Sequence, residues 1–187
     1  MKKVYRGILI LAVIVGIVIL LNNYSNEASK CSGKLTPALT EGPYYKSGSP
    51  QRTNIRKDAV GEDLVLTGYV YDKTCRPISG AWLDFWQAGG NGVYDNAGYK
   101  LRGHQFTDKD GKYVLETVIP AKYSGRTPHI HVKVMADDKS PILTTQLFFP
   151  GESQNERDSI FNKDLIVKML DQDDIKQAFS DFILNSK

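Results

Sequence analysis

Two of the chain's three histidines, His129 and His131, stand two residues apart in the run GRTPHIHVKV, Gly125 to Val134. A strand sends successive side chains to opposite faces, so both imidazoles project from one face while Ile130, Val132 and Val134 face a core. Two neutral imidazoles held side by side on a rigid strand supply half of a metal coordination set. An isolated His-x-His also fits a polar strand face with two incidental histidines, so the flanks decide between the readings.

A hard trivalent cation requires anionic oxygen ligands that two imidazoles cannot provide. Carboxylates are the usual source, but none lies close to the histidine strand in sequence. Tyrosines do: Tyr123 lies six residues before His129, and Tyr94 sits upstream in the glycine-rich stretch GGNGVYDNAGYKLRG, residues 89–103. A free phenol titrates near pH 10, yet against a bound trivalent ion the phenolate becomes the favoured form. Each tyrosine alone is equally explained by packing, Tyr94 against Trp82 or Trp86. His104 with His129 and His131 would give a weaker zinc or copper alternative. Tyr44 and Tyr45 fit either a pocket mouth or the packing of an arm. Asp84 and Glu116 stand too isolated to act as acid or base.

The elements that position these residues read as strands. LVLTGYVYD (64–72) and AWLDFWQA (81–88) alternate, the second with Trp82, Asp84 and Trp86 on one face and Leu83 and Phe85 on the other. HQFTD and KYVLETVI flank a DKDG turn, the histidine strand follows, and LTTQLFF adds one more. Short strands at regular spacing with proline and glycine punctuation describe an all-β fold, an antiparallel β-sandwich or barrel. Thr36 to Tyr45, TPALTEGPYY, is an arm or loop that its prolines keep irregular. Asp173 to Phe182 carries Ile175, Ala178, Phe179 and Phe182, continued by Ile183, at helical spacing behind acidic residues, and predicts a C-terminal packing helix.

At the other end, Ile8 to Leu21 is 14 apolar or glycine residues behind a basic start. That is the layout of an export signal or an uncleaved membrane anchor. As a helix it spans about 21 Å, short of the ~30 Å hydrocarbon core unless its flanks help. The following NNYSNEASK holds no clean cleavage site, which favours a tether, and ASK before Cys31 is a poor lipidation context. Residues 1–30 are thus read as signal or anchor plus linker, and 31–187 as one domain outside the cytoplasm. Four of the 24 basic residues (Lys2, Lys3, Arg6, Lys30) and one of the 21 acidic residues (Glu27) precede Cys31. The body therefore carries 20 of each and gives no reason to expect a nucleic-acid partner. Cys31 and Cys75, the only cysteines, could pair in an oxidising compartment or remain two thiols.

The runs TEGPYY, GYVYDKTCRPISGAWLDFWQA, GVYDN, LRGHQFTDKDGKY, VIPAKY, RTPHIHVKV and LTTQLFF occur in this order between Thr36 and Pro150. Together they resemble the intradiol ring-cleavage dioxygenases, the catechol and protocatechuate dioxygenase family. The resemblance implies a prealbumin-like β-sandwich and a non-haem Fe(III) centre held by Tyr94, Tyr123, His129 and His131. It places Arg126 and Gln146 beside the substrate ring, with Arg126 stabilising charge that builds there, and makes Tyr123 the ligand that departs. The implied substrates are a catechol and O₂, and the implied product is a muconate-type diacid.

A charge count is consistent with that chemistry. Fe(III), two phenolates and a hydroxide sum to zero, and a catecholate dianion replacing the hydroxide and one phenolate leaves the sum unchanged. The chain departs from familiar members in lacking a long helical N-terminal region and in carrying an export segment. Lys122 or Arg102 could face a carboxylated ring. The competing reading is a non-catalytic extracytoplasmic binding module, because strand-turn-strand runs such as GYVYDKTCRPISGAWLDFW also occur in metal-free prealbumin-like domains.

Overall fold

The computed structural model describes residues 31–170 and 175–186, so the predicted signal or anchor helix lies outside the described residues. Among those residues no helix is long and apolar enough to cross a membrane. The described residues form nine strands in chain order: β1 (Asp63–Asp72), β2 (Trp82–Gln87), β3 (Arg102–Phe106), β4 (Lys112–Val118), β5 (His129–Met135), β6 (Leu143–Phe148), β7 (Lys168–Leu170), β8 (Lys176–Phe179) and β9 (Phe182–Leu184). They form two sheets. One has the order β4-β1-β8-β7 with β9 also on β1, and the other has the order β3-β2-β5-β6.

The two inner faces share one core. Leu64, Leu66, Val70, Tyr113 and Leu115 come from the first sheet, and Leu83, Phe85, Ile130, Val132, Val134 and Leu147 from the second. The alternation read in β2 and β5 is therefore the observed one, and the chain is a β-sandwich. Cys31 and Cys75 are disulfide-bonded and neither is free.

The C-terminal segment departs from the sequence reading. Instead of a helix it forms β8 and β9, both parallel to β1, with Leu66 opposite Ala178 and Val70 opposite Phe182. The first sheet is accordingly mixed rather than antiparallel. Ala178, Phe182 and Leu184 all enter the core. Residues four apart share a face in a helix and in a strand alike, so the pair Ala178/Phe182 could not discriminate the two. The long β1 decides it, since its second edge carries backbone donors and acceptors that must be paired. The short β7 gave no separable signal.

Gly68 is where this packing is tightest. A Cβ there would lie 1.7 Å from the Ser180 carbonyl oxygen, which also accepts from the Tyr113 hydroxyl at 2.7 Å. Gly68→Ala is expected to destabilise the fold by about 3 kcal/mol, measured by urea unfolding. A neutral substitution would contradict the placement of residues 176–184 alongside β1.

Candidate metal centre

The outer face of the second sheet is organised in rows by its register. Trp86 pairs with Arg102 and with His131, and His131 pairs with Gln146, so these four share one row across β3-β2-β5-β6. The next row holds His104, Asp84, Lys133 and Thr144. The arm read as irregular crosses this face. The Thr40 carbonyl accepts from Gln146 Nε2 at 2.9 Å, and the Tyr44 carbonyl accepts from Arg102 Nη1 at 2.7 Å. Between them, Gly42 at φ +72° would set a Cβ 3.4 Å from His131 Cε1. The arm thus covers His131, which is 1% exposed, and the neighbouring His129 is 2% exposed.

Two loops bring the tyrosines to the same place. Tyr123 begins a tight turn in which its N–H and carbonyl exchange hydrogen bonds with Arg126, Ser124 and Gly125 taking positive φ. Such a turn suits a two-residue hairpin loop. The glycine-rich loop packs against it: the Ala121 N–H donates to the Gly89 carbonyl, and a Cβ at Gly92 would lie 2.7 Å from the Lys122 carbonyl oxygen. This close approach explains the glycine and sets Tyr94 beside Tyr123, with ring centroids 5.2 Å apart. Tyr44 stacks on the other face of the cluster, 4.4 Å from the Tyr94 ring.

Four donor atoms converge. Tyr94 Oη lies 3.5 Å from Tyr123 Oη, Tyr123 Oη 3.4 Å from His129 Nε2, and His129 Nε2 3.0 Å from His131 Nε2. His129 Nδ1 is 2.6 Å from the Thr127 carbonyl, which only accepts, so Nδ1 carries the proton and Nε2 keeps its lone pair. Burial pushes the His129 pKa down from 6.5 to about 4, with the nearby Arg126 acting in the same direction. Burial, then His129, hold His131 well below the ordinary histidine value. Both rings are neutral. The Tyr94 phenol is pushed well above its ordinary value, first by burial and then by Tyr123.

These facts test the donor set against a cation. His129 Nε2 can accept from His131 Nε2–H at 3.0 Å, but His131 Nδ1 is buried without a hydrogen-bond partner in either tautomer, so the pair is not fully satisfied on its own. Donors about 2.1 Å from a common ion at right angles stand about 3.0 Å apart, and wider angles give the longer separations seen here. The four residues fit a metal, and the two phenols give the set its capacity for negative charge.

The sequence-predicted residues fall as follows. Tyr94, Tyr123, His129 and His131 meet. Arg126 Nη2 donates to Gln146 Oε1 at 2.6 Å, so these two are joined at the margin of the site. His104 stands apart, its Nδ1 2.7 Å from the Ser49 carbonyl, and among the described residues no group of three His, Cys, Asp or Glu side chains could hold a metal. The zinc or copper alternative from three histidines has no geometric support. Glu116 lies at the surface with Arg56 and Asn54.

Asp84 and Asp158 gave no functional signal in sequence, and Arg102 only that of a possible cation for a carboxylated ring. Asp84 is buried, not isolated: Ser49 Oγ donates to it at 2.7 Å and the Tyr45 hydroxyl at 3.1 Å. Burial raises its pKa against the lowering effect of those bonds. Arg102 spans two loops, donating to the carbonyls of Tyr44 and Asp95. Asp158 accepts from Arg126 Nε at 2.8 Å.

Residues 40–184 match the family described as Dioxygenase, and the chain belongs to the intradiol ring-cleavage dioxygenases. It is 29% identical to a chlorocatechol 1,2-dioxygenase of Rhodococcus opacus over 72% of this chain and 64% of that protein. It is 32% identical to the alpha chain of a Pseudomonas putida protocatechuate 3,4-dioxygenase over 64% of this chain and 71% of the relative. Against two hydroxyquinol 1,2-dioxygenases the alignments span 58% and 50% of the relatives' length, so the chain matches about half to two thirds of such proteins. Among solved structures it is similar to the dioxygenase domain of a dioxygenase carbohydrate-binding protein fusion from Streptomyces sp. SirexAA-E, with TM-score 0.79, 42% identity, and coverage of 82% of this chain and all of that one. An intradiol ring-cleavage dioxygenase from Tetranychus urticae gives 0.76 and 27% identity, covering 81% and 94%.

The depressed histidines have a measurable consequence for the metal-free protein. Between pH 6.5 and 4 the unfolded chain binds a proton at His129 that the folded protein does not, so this contribution to stability is full above 6.5 and declines as pH falls. The loss attributable to His129 between pH 7 and 4 is expected to be roughly 3 kcal/mol, read from urea midpoints. His129→Gln should flatten that part of the profile, and an unchanged slope in the variant would contradict the assignment.

Proposed function

We propose that this protein is a non-haem ferric dioxygenase that inserts both atoms of O₂ between the two hydroxyl-bearing carbons of a catechol, giving a muconate-type diacid. The observation that carries this reading is the convergence of Tyr94 Oη, Tyr123 Oη, His129 Nε2 and His131 Nε2 through successive separations of 3.5, 3.4 and 3.0 Å. When bound, a ferric ion supplies Lewis acidity and draws electron density from a chelated catecholate, opening the ring carbon to O₂.

The chain's own groups divide the remaining work. Tyr94 is buried beneath Tyr44 and suits a permanent ligand. Tyr123, less buried and carried on a two-residue turn, suits the phenolate that leaves and takes up a catechol proton. Arg126 brings positive charge close enough to bear on Tyr94, His129 and His131, and would stabilise negative charge that develops on the ring. Gln146 holds the guanidinium from the other side and is itself tied to the arm. Trp86, stacked on His131 with centroids 4.8 Å apart, fixes that imidazole plane.

Substrate class follows the same bookkeeping. Arg102, a candidate cation for a carboxylated ring, directs its donors to the carbonyls of Tyr44 and Asp95, which favours a catechol without a carboxylate. An extracytoplasmic setting, tethered or secreted, is suggested by the apolar run Ile8–Leu21 and agrees with the disulfide-bonded cysteines.

Iron-loaded protein is expected to be coloured by tyrosinate-to-iron charge transfer and to consume O₂ with catechol, one equivalent per diacid formed. Tyr123→Phe should lose part of the colour and at least about 10²-fold in turnover. A colourless protein with stoichiometric iron, or full turnover in that variant, would contradict the reading and leave a binding module in its place.

A further inference from the structure

Asp158 lies beyond the motif runs between Thr36 and Pro150, on the exit of a short 3₁₀ turn at Asn155–Arg157. Its side chain is 1% exposed and that of Arg126 is 17% exposed. One carboxylate oxygen accepts from Arg126 Nε at 2.8 Å and from the Thr127 N–H at 2.9 Å, and the other accepts from the Ile160 N–H at 3.0 Å. Asn155, from the same turn, accepts from Thr127 Oγ1 at 2.6 Å and donates to the Phe149 carbonyl at 2.9 Å. Two side chains of one segment thus grip the dipeptide Arg126–Thr127 from one side. Besides the backbone pair that Arg126 makes with Tyr123, two further contacts of that dipeptide point into the site: Arg126 Nη2 to Gln146 Oε1, and the Thr127 carbonyl to His129 Nδ1.

From this arrangement we infer that Asp158 is a positioning residue for the reaction, acting through Arg126 and resting on the dioxygenase reading above. A guanidinium held at Nε by a buried carboxylate and at Nη2 by Gln146 has its plane fixed, because a planar fork bound at two points cannot swing about its last torsions. Without the carboxylate, Arg126 follows a flexible stem with many accessible rotamers, and Nη2 no longer keeps its station beside the site. The pair is also close to neutral, so Arg126 offers the developing ring charge a directed dipole more than a free cation. A tether serving only to dock the 155–161 segment would need neither the Nε contact nor its alignment with Gln146.

The test combines a double-mutant cycle with a measurement that does not depend on turnover. Asp158→Asn keeps the side-chain volume while removing the charge and one of the two acceptor oxygens that Arg126, Thr127 and Ile160 use. In iron-loaded protein it is expected to lower kcat roughly 10²-fold, leaving the tyrosinate absorption and the anaerobic affinity for catechol within about threefold. In an Arg126→Gln background the same change should cost less than about threefold, since the group it positions is gone. Equal losses in both backgrounds would overturn the inference. Independently, the Arg126 Nε–H resonance of the unsubstituted protein, assigned by its absence in Arg126→Gln, should exchange slowly with water and lose that protection in Asp158→Asn. Fast exchange in the unsubstituted protein, or protection surviving in the variant, would equally overturn it. Were the unsubstituted iron protein inactive on catechols, the dioxygenase reading would fail while the exchange measurement still decided whether Asp158 fixes the guanidinium.

Discussion

The structure turns on a desolvation constraint. Four donor atoms, two from phenols and two from imidazoles, are gathered where water is largely excluded, and each is individually costly there. Burial drives both histidines to the neutral form and the Tyr94 phenol away from ionisation. A multivalent cation at their meeting point reverses the preference of the phenols and makes use of the imidazole lone pairs, so the same burial that penalises the empty arrangement favours the loaded one.

Everything else about the fold can be read as holding that arrangement in place. Register in the second sheet puts Trp86, His131 and Gln146 in one row, and the arm covers the row by tying its backbone to Gln146 and Arg102 at either end. The two tyrosines come from loops, yet neither loop is loose: one is a two-residue turn closed on Arg126, and the other is pressed against it at Gly92. A rigid sheet supplies nitrogen, and braced loops supply oxygen. Of the two phenols, that of Tyr123 is the less buried.

How much of this was legible beforehand depended on whether the signal was local. Alternation is a local property, so the faces of β2 and β5 and the pairing of the two histidines on one side could be read directly. The motif order between Thr36 and Pro150 carried the site tyrosines, Arg126 and Gln146, which sequence spacing alone left open. Three features escaped because they are decided by distant partners. Ala178 and Phe182 fit two periodicities, and the exposed edge of β1 chose between them. Asp84 looks isolated in sequence, but Tyr45 and Ser49 reach it from an arm about 35 to 39 residues earlier. Asp158 sits in NERDSI, a polar run like any surface loop, and only the fold brings it under Arg126.

The most direct measurement is a crystal structure of the protein loaded with ferric iron, with the absorption edge of the metal used to locate it. The account predicts one iron bonded at once to Tyr94 Oη, Tyr123 Oη, His129 Nε2 and His131 Nε2, with little movement of β5 or the arm. Iron bound at another place, or held by the histidines with both phenols turned away, would contradict it.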